Sequence, residues 1–321
     1  MRVAVLGAGA LGSLYGAWSA EAGHDVVLVG RQRHVDVIGR HGLQVGDRRG
    51  GSRTVAIGAS ALVESAADAD VVLVASKAQD TPALLDAYRG EPRAAWSVQN
   101  GARQADPLVA RFGAAAIGGT SMVGATLDRP GVVTNTFTGA TYVGPLPTSD
   151  TAAATTVRLS LGHAVDVVER DDIVDVLWSK AVLAAGAMGL SVLLRLPYHH
   201  VFVEPGARNV FYDVLREAAD VATAEGASLV DLPGPLQAGS LMSAGRGIAL
   251  ARLAEVGRHM VAAGQTSVRV SMLQSLESGR RMEVDAVFGD LVASADRHGL
   301  AVPLLRAVTD IVRTLDETVT A

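Results

Sequence analysis

Apolar residues fall along this chain in two rhythms. In the first part, short runs of Val, Leu and Ala (Val3–Leu6, Asp25–Val29, Val71–Ala75 and Ala114–Gly118) alternate with helical patterns, the first over Ala10–Ala22. Short continuous apolar runs suit strands buried on both faces, and their alternation with helices reads as βαβ units building a parallel sheet. From about Glu169 the short runs stop. The stretch "DDIVDVLWSKAVLAAGAMGLSVLL" opens with acidic residues that suit a helix N-terminus, and helical patterns follow over Asn209–Glu225, Gly247–Ala263 and Met282–His298. The turn-rich "GPLPTSD" at Gly144–Asp150 marks a loop near the end of the first region, and a boundary close to Asp166–Asp171 follows. At 321 residues the chain exceeds what one core usually serves. The pattern therefore predicts an α/β protein, with a parallel-sheet domain over 1–168 and an all-helical domain over 169–321.

The opening "VAVLGAGALGSLYG" imitates a signal peptide, with Arg2, an apolar run and small residues near Ala17–Ala20. Its spacing points elsewhere. Gly7, Gly9 and Gly12, with Ala10 and Leu11 between them, form G-x-G-x-x-G directly after an apolar run, where a first strand hands over to a helix. There the turn is tight, the backbone must approach a pyrophosphate, and the helix must lie close to its strand. Strand, glycines, helix and a second strand ending at Val29 make one unit of about thirty residues, the length of a Rossmann-type dinucleotide fingerprint. The second strand ends in "GRQRH", which offers Arg31 and Arg33 and no acid for ribose hydroxyls. Two cations favour a 2′-phosphate, hence NADPH over NADH, with arginine suited to pair phosphate bidentately. The competing reading is a surface turn with solvated arginines.

Composition narrows the classes. There is no cysteine, which removes disulfides, thiolate metal sites and cysteine nucleophiles, and a soluble cytoplasmic enzyme is expected. The net charge of −5 argues against a nucleic-acid partner. The apolar run Ala181–Leu194, at 14 residues, is too short to span a bilayer, so no membrane association is expected. The adjacent His199 and His200 have no third ligand at usual spacing, and no metal is expected.

Four further stretches matter together with the first. "VASKAQD" carries Lys77, "SVQNG" carries Asn100 and Gly101, "LWSKAV" carries Lys180, and "SMLQSLESGRRMEVDAVFGDLV" carries Ser271 and Glu283. In this order, and with "ADRHGLAVP" at Ala295–Pro303, the chain closely resembles the ketopantoate reductase (2-dehydropantoate 2-reductase) family over nearly its whole length. The resemblance implies a Rossmann domain followed by a helical domain, and NADPH delivering hydride to C2 of a 2-keto acid. It implies that Lys180 is the general acid and Glu283 the partner that holds the substrate. By the same resemblance Lys77 and Asn100 meet the nicotinamide ribose and the reacting centre, and Ser271 contacts the substrate carboxylate.

The chemistry also stands on the residues. Hydride addition to a ketone leaves an alkoxide too basic to exist free at neutral pH, so a proton donor must lie within hydrogen-bond reach. An ammonium serves best when burial lowers its pKa, and "VDVLW" and "AVLAAGAMGL" around Lys180 supply an apolar setting. On the helix pattern alone, a snorkelling lysine fits equally well. Glu283 competes with Asp285 and Asp290 for any carboxylate role, and with a surface pairing to Arg280 or Arg281. Ser267 and Ser271 also suit helix caps, Lys77 also suits a loop cation, and Asn100-Gly101 also suits a tight turn.

One departure stands out against the resemblance. Ketopantoate reductases typically carry asparagines four and eight residues beyond the catalytic lysine, where this chain has Ala184 and Met188 on the same helical face. An apolar pair cannot bind the substrate hydroxyl as amides do, and sites built to bind a hydroxyl discriminate strongly through it. Three functions therefore compete: reduction of 2-dehydropantoate to pantoate in the pantothenate pathway; turnover of a more apolar 2-keto acid or 2-hydroxy acid; and a non-catalytic dinucleotide-binding regulator. The presence of both Lys180 and Glu283 argues against the last. The apolar helices of the second domain are compatible with a homodimer.

Overall fold

The computed structural model describes residues 1–320 and resolves into two compact units, Met1–Gln99 with Gln104–Ile173, and Asn100–Arg103 with 174–320. The first unit contains strands β1 (Arg2–Leu6), β2 (Asp25–Val29), β3 (Leu43–Asp47), β4 (Ser52–Val55), β5 (Gly58–Ser60), β6 (Val71–Val74), β7 (Ala94–Ser97), β8 (Gly118–Ser121), β9 (Gly124–Arg129), β10 (Val132–Phe137), β11 (Thr141–Gly144) and β12 (Val167–Glu169). Its helices are α1 (Ala10–Glu21), α2 (Gln32–His41), α3 (Thr81–Ala87), α4 (Asp106–Phe112) and α5 (Thr151–Leu161).

The main sheet is parallel, in the order β5-β2-β1-β6-β7. Its apolar runs divide by alternate residues. Val3, Val5, Val26, Leu28, Val71 and Leu73 enter one core, while Ala4, Leu6, Val27, Val29, Val72 and Val74 enter the other. That two-residue alternation explains why the runs are continuous in apolar character: both faces are covered. The chain leaves β1 for neighbours on either side, so the C-terminal ends of β1, β2 and β6 meet at a topological switch point.

Helix α1 has no polar face because it lies between layers. Gly12 to Ser19 are all buried, and the helix packs on β1 and β2 and also on β3, β9 and β10 of a second sheet ordered β4-β3-β10-β9. A third sheet, β12-β11-β8, completes the unit. Neither mixed sheet is evident from the periodicity, which predicts only parallel units. The expected strand at Ala114–Gly118 is also displaced. Gly113–Ala115 forms a 3₁₀ turn, Ala116 makes a single bridge to Ala95, and the strand begins at Gly118. The ladder runs through glycines because a Cβ on Gly119 would come within 2.7 Å of the Trp96 ring.

The second unit is helical: α6 (Ile173–Leu194, its first residue grouped with the first unit), α7 (His200–Val203), α8 (Pro205–Ala224), α9 (Ala238–Ser243), α10 (Arg246–Ala262), α11 (Ser271–Glu277), α12 (Asp290–Arg297) and α13 (Pro303–Thr320). At 22 residues, α6 is the one helix among the described residues long and apolar enough to cross a membrane, and most of it is buried in the core of the unit. Its apolar length is matched by Phe202, Phe211, Leu215, Val287, Phe288 and Val308 in the same cluster.

Candidate active site

One set of candidate residues lies at the C-terminal edge of the parallel sheet. Gly7 follows β1 with φ +108°, a conformation that favours glycine, and a Cβ there would lie 2.3 Å from the Ser76 nitrogen. A Cβ on Gly12 would lie 2.1 Å from the Gly7 carbonyl oxygen, so the start of α1 rests directly on the turn. Gly9 differs: a Cβ there would meet nothing within 4 Å, so its face opens to free space at the helix N-terminus. The first helical hydrogen bond runs from Ser13 N–H to the Gly9 carbonyl (3.0 Å), and the N–H groups of Ala10, Leu11 and Gly12 precede it. An open backbone cradle at the positive end of a helix fits a pyrophosphate.

Arg31 directly precedes α2 and Arg33 lies in its first turn; both are exposed, and neither forms an ion pair among the described residues. They are therefore available to an anionic ligand at the end of β2. Helix α2 is pinned by His34, which the sequence reading passed over. The Gly131 N–H donates to His34 Nδ1 (2.9 Å), which leaves the proton on Nε2, 3.1 Å from Ser13 Oγ. Burial pushes the His34 pKa down, in keeping with a neutral ring.

Lys77 lies three residues past the end of β6, half-buried, where it opens a 3₁₀ turn over Ala78–Asp80. That loop is fastened by Gln99, another residue the sequence reading did not single out. The Gln99 Nε2 donates to the Ser76 carbonyl (2.8 Å) and to Thr81 Oγ1 (2.7 Å), while Ser97 Oγ donates to Gln99 Oε1 (3.1 Å).

A second set of candidate residues lies within the helical unit. Lys180 projects from α6, whose preceding residue Ser179 is buried and accepts the Val230 N–H (2.8 Å). Burial lowers the Lys180 pKa to about 8, against the opposing pull of the Glu283 carboxylate. The two residues singled out as catalytic are thus brought into electrostatic contact. Glu283 itself is not in the helix expected over Met282–His298. Arg280–Glu283 is irregular and helical structure begins at Val284, with the Glu283 carbonyl accepting the Val287 N–H (3.0 Å) and the Met282 N–H donated to Asp316 (2.6 Å). The next five residues, Asp285–Gly289, form a π-helical turn, a feature frequent at functional sites.

Asn100 and Gly101 pack with this same unit. Gly101 has φ +108°, and a Cβ would lie 2.5 Å from the Ala286 carbonyl oxygen in the π turn. Two residues on, Arg103 donates to Glu225 (2.9 Å), which also accepts from Arg297 (2.7 Å). Burial opposes the Glu225 charge, but hydrogen bonds from Ser294, Arg297 and Arg103 outweigh it and hold the pKa at about 2. Asn100-Gly101 is therefore more than a turn: it is anchored against the segment that follows Glu283. Ala184 and Met188 are half-buried on α6, one and two turns from Lys180. Ser271 opens α11, is exposed, and makes no side-chain hydrogen bond among the described residues. His199 and His200 stack at 4.1 Å between ring centroids, and no group of three or more metal-ligating side chains is gathered among the described residues.

Two family models match in succession, that of ketopantoate reductase PanE/ApbA over residues 3–148 and that of its C-terminal region over 172–316. A 2-dehydropantoate 2-reductase of Pyrococcus abyssi is 27% identical over 95% of this chain and 94% of its own length. The crystal structure of a PanE/ApbA family ketopantoate reductase from Ralstonia eutropha superposes with a TM-score of 0.82 at 28% identity, covering both chains completely. A D-mandelate dehydrogenase solved with NADH and anilino(oxo)acetate shares the fold, with a TM-score of 0.83 at 20% identity over both whole chains. Fold, length and motif order agree, and the chain belongs to the ketopantoate reductase family, oxidoreductases that act on CH–OH groups.

Proposed function

We propose that this protein reduces 2-dehydropantoate to pantoate with NADPH. The observation that carries the reading is Lys180, half-buried on α6, its pKa lowered to about 8 by desolvation against the opposing charge of Glu283. When bound, the nicotinamide supplies the hydride that adds to C2 of the keto acid. Lys180, as an ammonium, hydrogen-bonds the carbonyl oxygen, stabilises the negative charge that develops there, and gives it a proton; the neutral amine then regains a proton from solvent. Glu283 holds the substrate, Asn100 and Lys77 orient the reacting groups, and Ser271 meets the carboxylate. The turn from Gly7 through Gly9, Ala10 and Leu11 to Gly12 receives the pyrophosphate, and Arg31 receives the 2′-phosphate.

A second reading has its own observation. Ala184 and Met188 offer no hydrogen bond on the Lys180 face of α6, which favours a 2-keto acid with an apolar tail. A D-mandelate dehydrogenase built on the same fold is consistent with such a substrate. NADPH oxidation, followed by absorbance with 2-dehydropantoate beside 2-keto acids lacking its hydroxyl, separates the two. The first reading expects the higher kcat/KM with 2-dehydropantoate. A preference for the unhydroxylated analogue overturns it in favour of the second.

A further inference from the structure

Glu283 immediately precedes the helical stretch that begins at Val284, and its carbonyl accepts the Val287 N–H (3.0 Å). It lies in the irregular stretch Arg280–Glu283, between Met282 and Val284, whose side chains are both buried in the helical core. The first residue of this stretch is tied to α11, with the Arg280 N–H donated to the Ser275 carbonyl (2.9 Å), and its middle is tied to α13. The Asp316 carboxylate, buried near the C-terminal end of α13, accepts the Met282 N–H through Oδ1 at 2.6 Å, and its Oδ2 faces Arg281 Nε at 3.6 Å. On the far side of Glu283, the exposed Arg313 donates to Asp285 (3.0 Å). Helix α13 is in turn fastened at its start, where the N–H groups of Leu304 and Leu305 donate to the Glu217 carboxylate (3.1 and 2.7 Å).

We propose that Asp316 is a positioning residue for the reaction, holding the Met282 backbone so that the next side chain, Glu283, stays directed at Lys180 and the substrate. The inference rests on the reading of Glu283 as the partner of Lys180. A buried carboxylate suits the task because a charged acceptor binds a backbone N–H more strongly than a neutral one and sits in a fixed helical frame. The Arg313–Asp285 pair is solvent-exposed and carries less weight.

The test is the pH profile of kcat for keto acid reduction in the full-length protein, because a purely structural role would not move it. Glu283 is the charged group that raises the Lys180 pKa. If D316A lets Glu283 drift, that support weakens and the alkaline limb of the profile moves to lower pH. The expected result for D316A is that shift with a fall in kcat of about tenfold or more and an unchanged KM for NADPH. D316N keeps an acceptor oxygen at the same place and should restore the limb. R313A should change kcat less than about twofold. Should D316A fail to fold, D316E serves, since it keeps the charge and displaces the acceptor by one methylene. A wild-type limb and kcat in D316A or D316E overturns the proposal, as does a D316N profile equal to that of D316A. E283Q is measured in parallel: turnover unchanged in E283Q refutes the role of Glu283 itself. Lost turnover in E283Q with a wild-type D316A refutes only the positioning by Asp316.

Discussion

Lys180 lies under two opposed influences, burial that expels its proton and a carboxylate that retains it, and the balance near pH 8 makes a prediction. Reduction requires the protonated amine, so kcat/KM for the keto acid should be flat below pH 8 and fall about tenfold per unit above it, while oxidation of the hydroxy acid should rise through the same pH. K180A should lower kcat by about 10²–10⁴ and leave NADPH binding, measured by fluorescence titration, nearly intact. A limb that stays put in K180A would assign the titration to another group. The apolar neighbours of Lys180 are adjacent in sequence, but the helix pattern alone fits a snorkelling lysine equally well, and the choice between the two depends on the fold. Asp316 was legible in part. Leu305, Val308, Thr309, Val312 and Asp316 recur at helical spacing and are all buried, so an acid stands on an apolar stripe and demands a partner. That its partner is the backbone of Met282 depends on how two distant segments pack, and no local pattern records it.

The parallel strands were readable because both faces of the sheet are buried and every residue in a run must be apolar. The strands of the mixed sheets escaped notice for the converse reason: β4 is exposed at three of its four residues and β9 at three of six, so polar and small residues fill them. The helix over Met282–His298 begins two residues later than expected, at Val284, with Glu283 as the residue before its first turn. The loop after β6 takes its shape from a tertiary contact. Ser76 to Thr81 is short, contains a 3₁₀ turn and carries Lys77, and its shape is enforced by the Gln99 side chain from the next strand end. Q99L removes these bonds and leaves Thr81 and Ser97 hydroxyls to find other partners, at about 1–3 kcal/mol. Expected are a lower melting temperature and a severalfold higher KM for NADPH, with the KM for the keto acid little changed. Equal increases in both KM values would show that Gln99 stabilises the fold without selecting the position of Lys77.

On the scale of the whole molecule, charge works against the proposed ligands. The protein carries a net charge of −5, and a phosphorylated dinucleotide and a keto acid are both anions, so attraction has to be local. Arg31 and Arg33 supply it at the end of β2, exposed and without an ion pair among the described residues, so binding a phosphate there breaks no existing bridge. An arginine–phosphate hydrogen bond contributes about 1.5–3 kcal/mol, which predicts that R31A weakens NADPH by roughly 10- to 100-fold and NADH by far less. Because these cations face solvent, salt should screen them: the Debye length is about 10 Å at 0.1 M, and the KM for NADPH should climb with ionic strength in the wild type. In R31A the climb should be shallower, since one of the screened charges is gone. Equal losses for the two dinucleotides would instead make Arg31 a contact to the part they share, and the choice between NADPH and NADH would then rest with Arg33 or with neither cation.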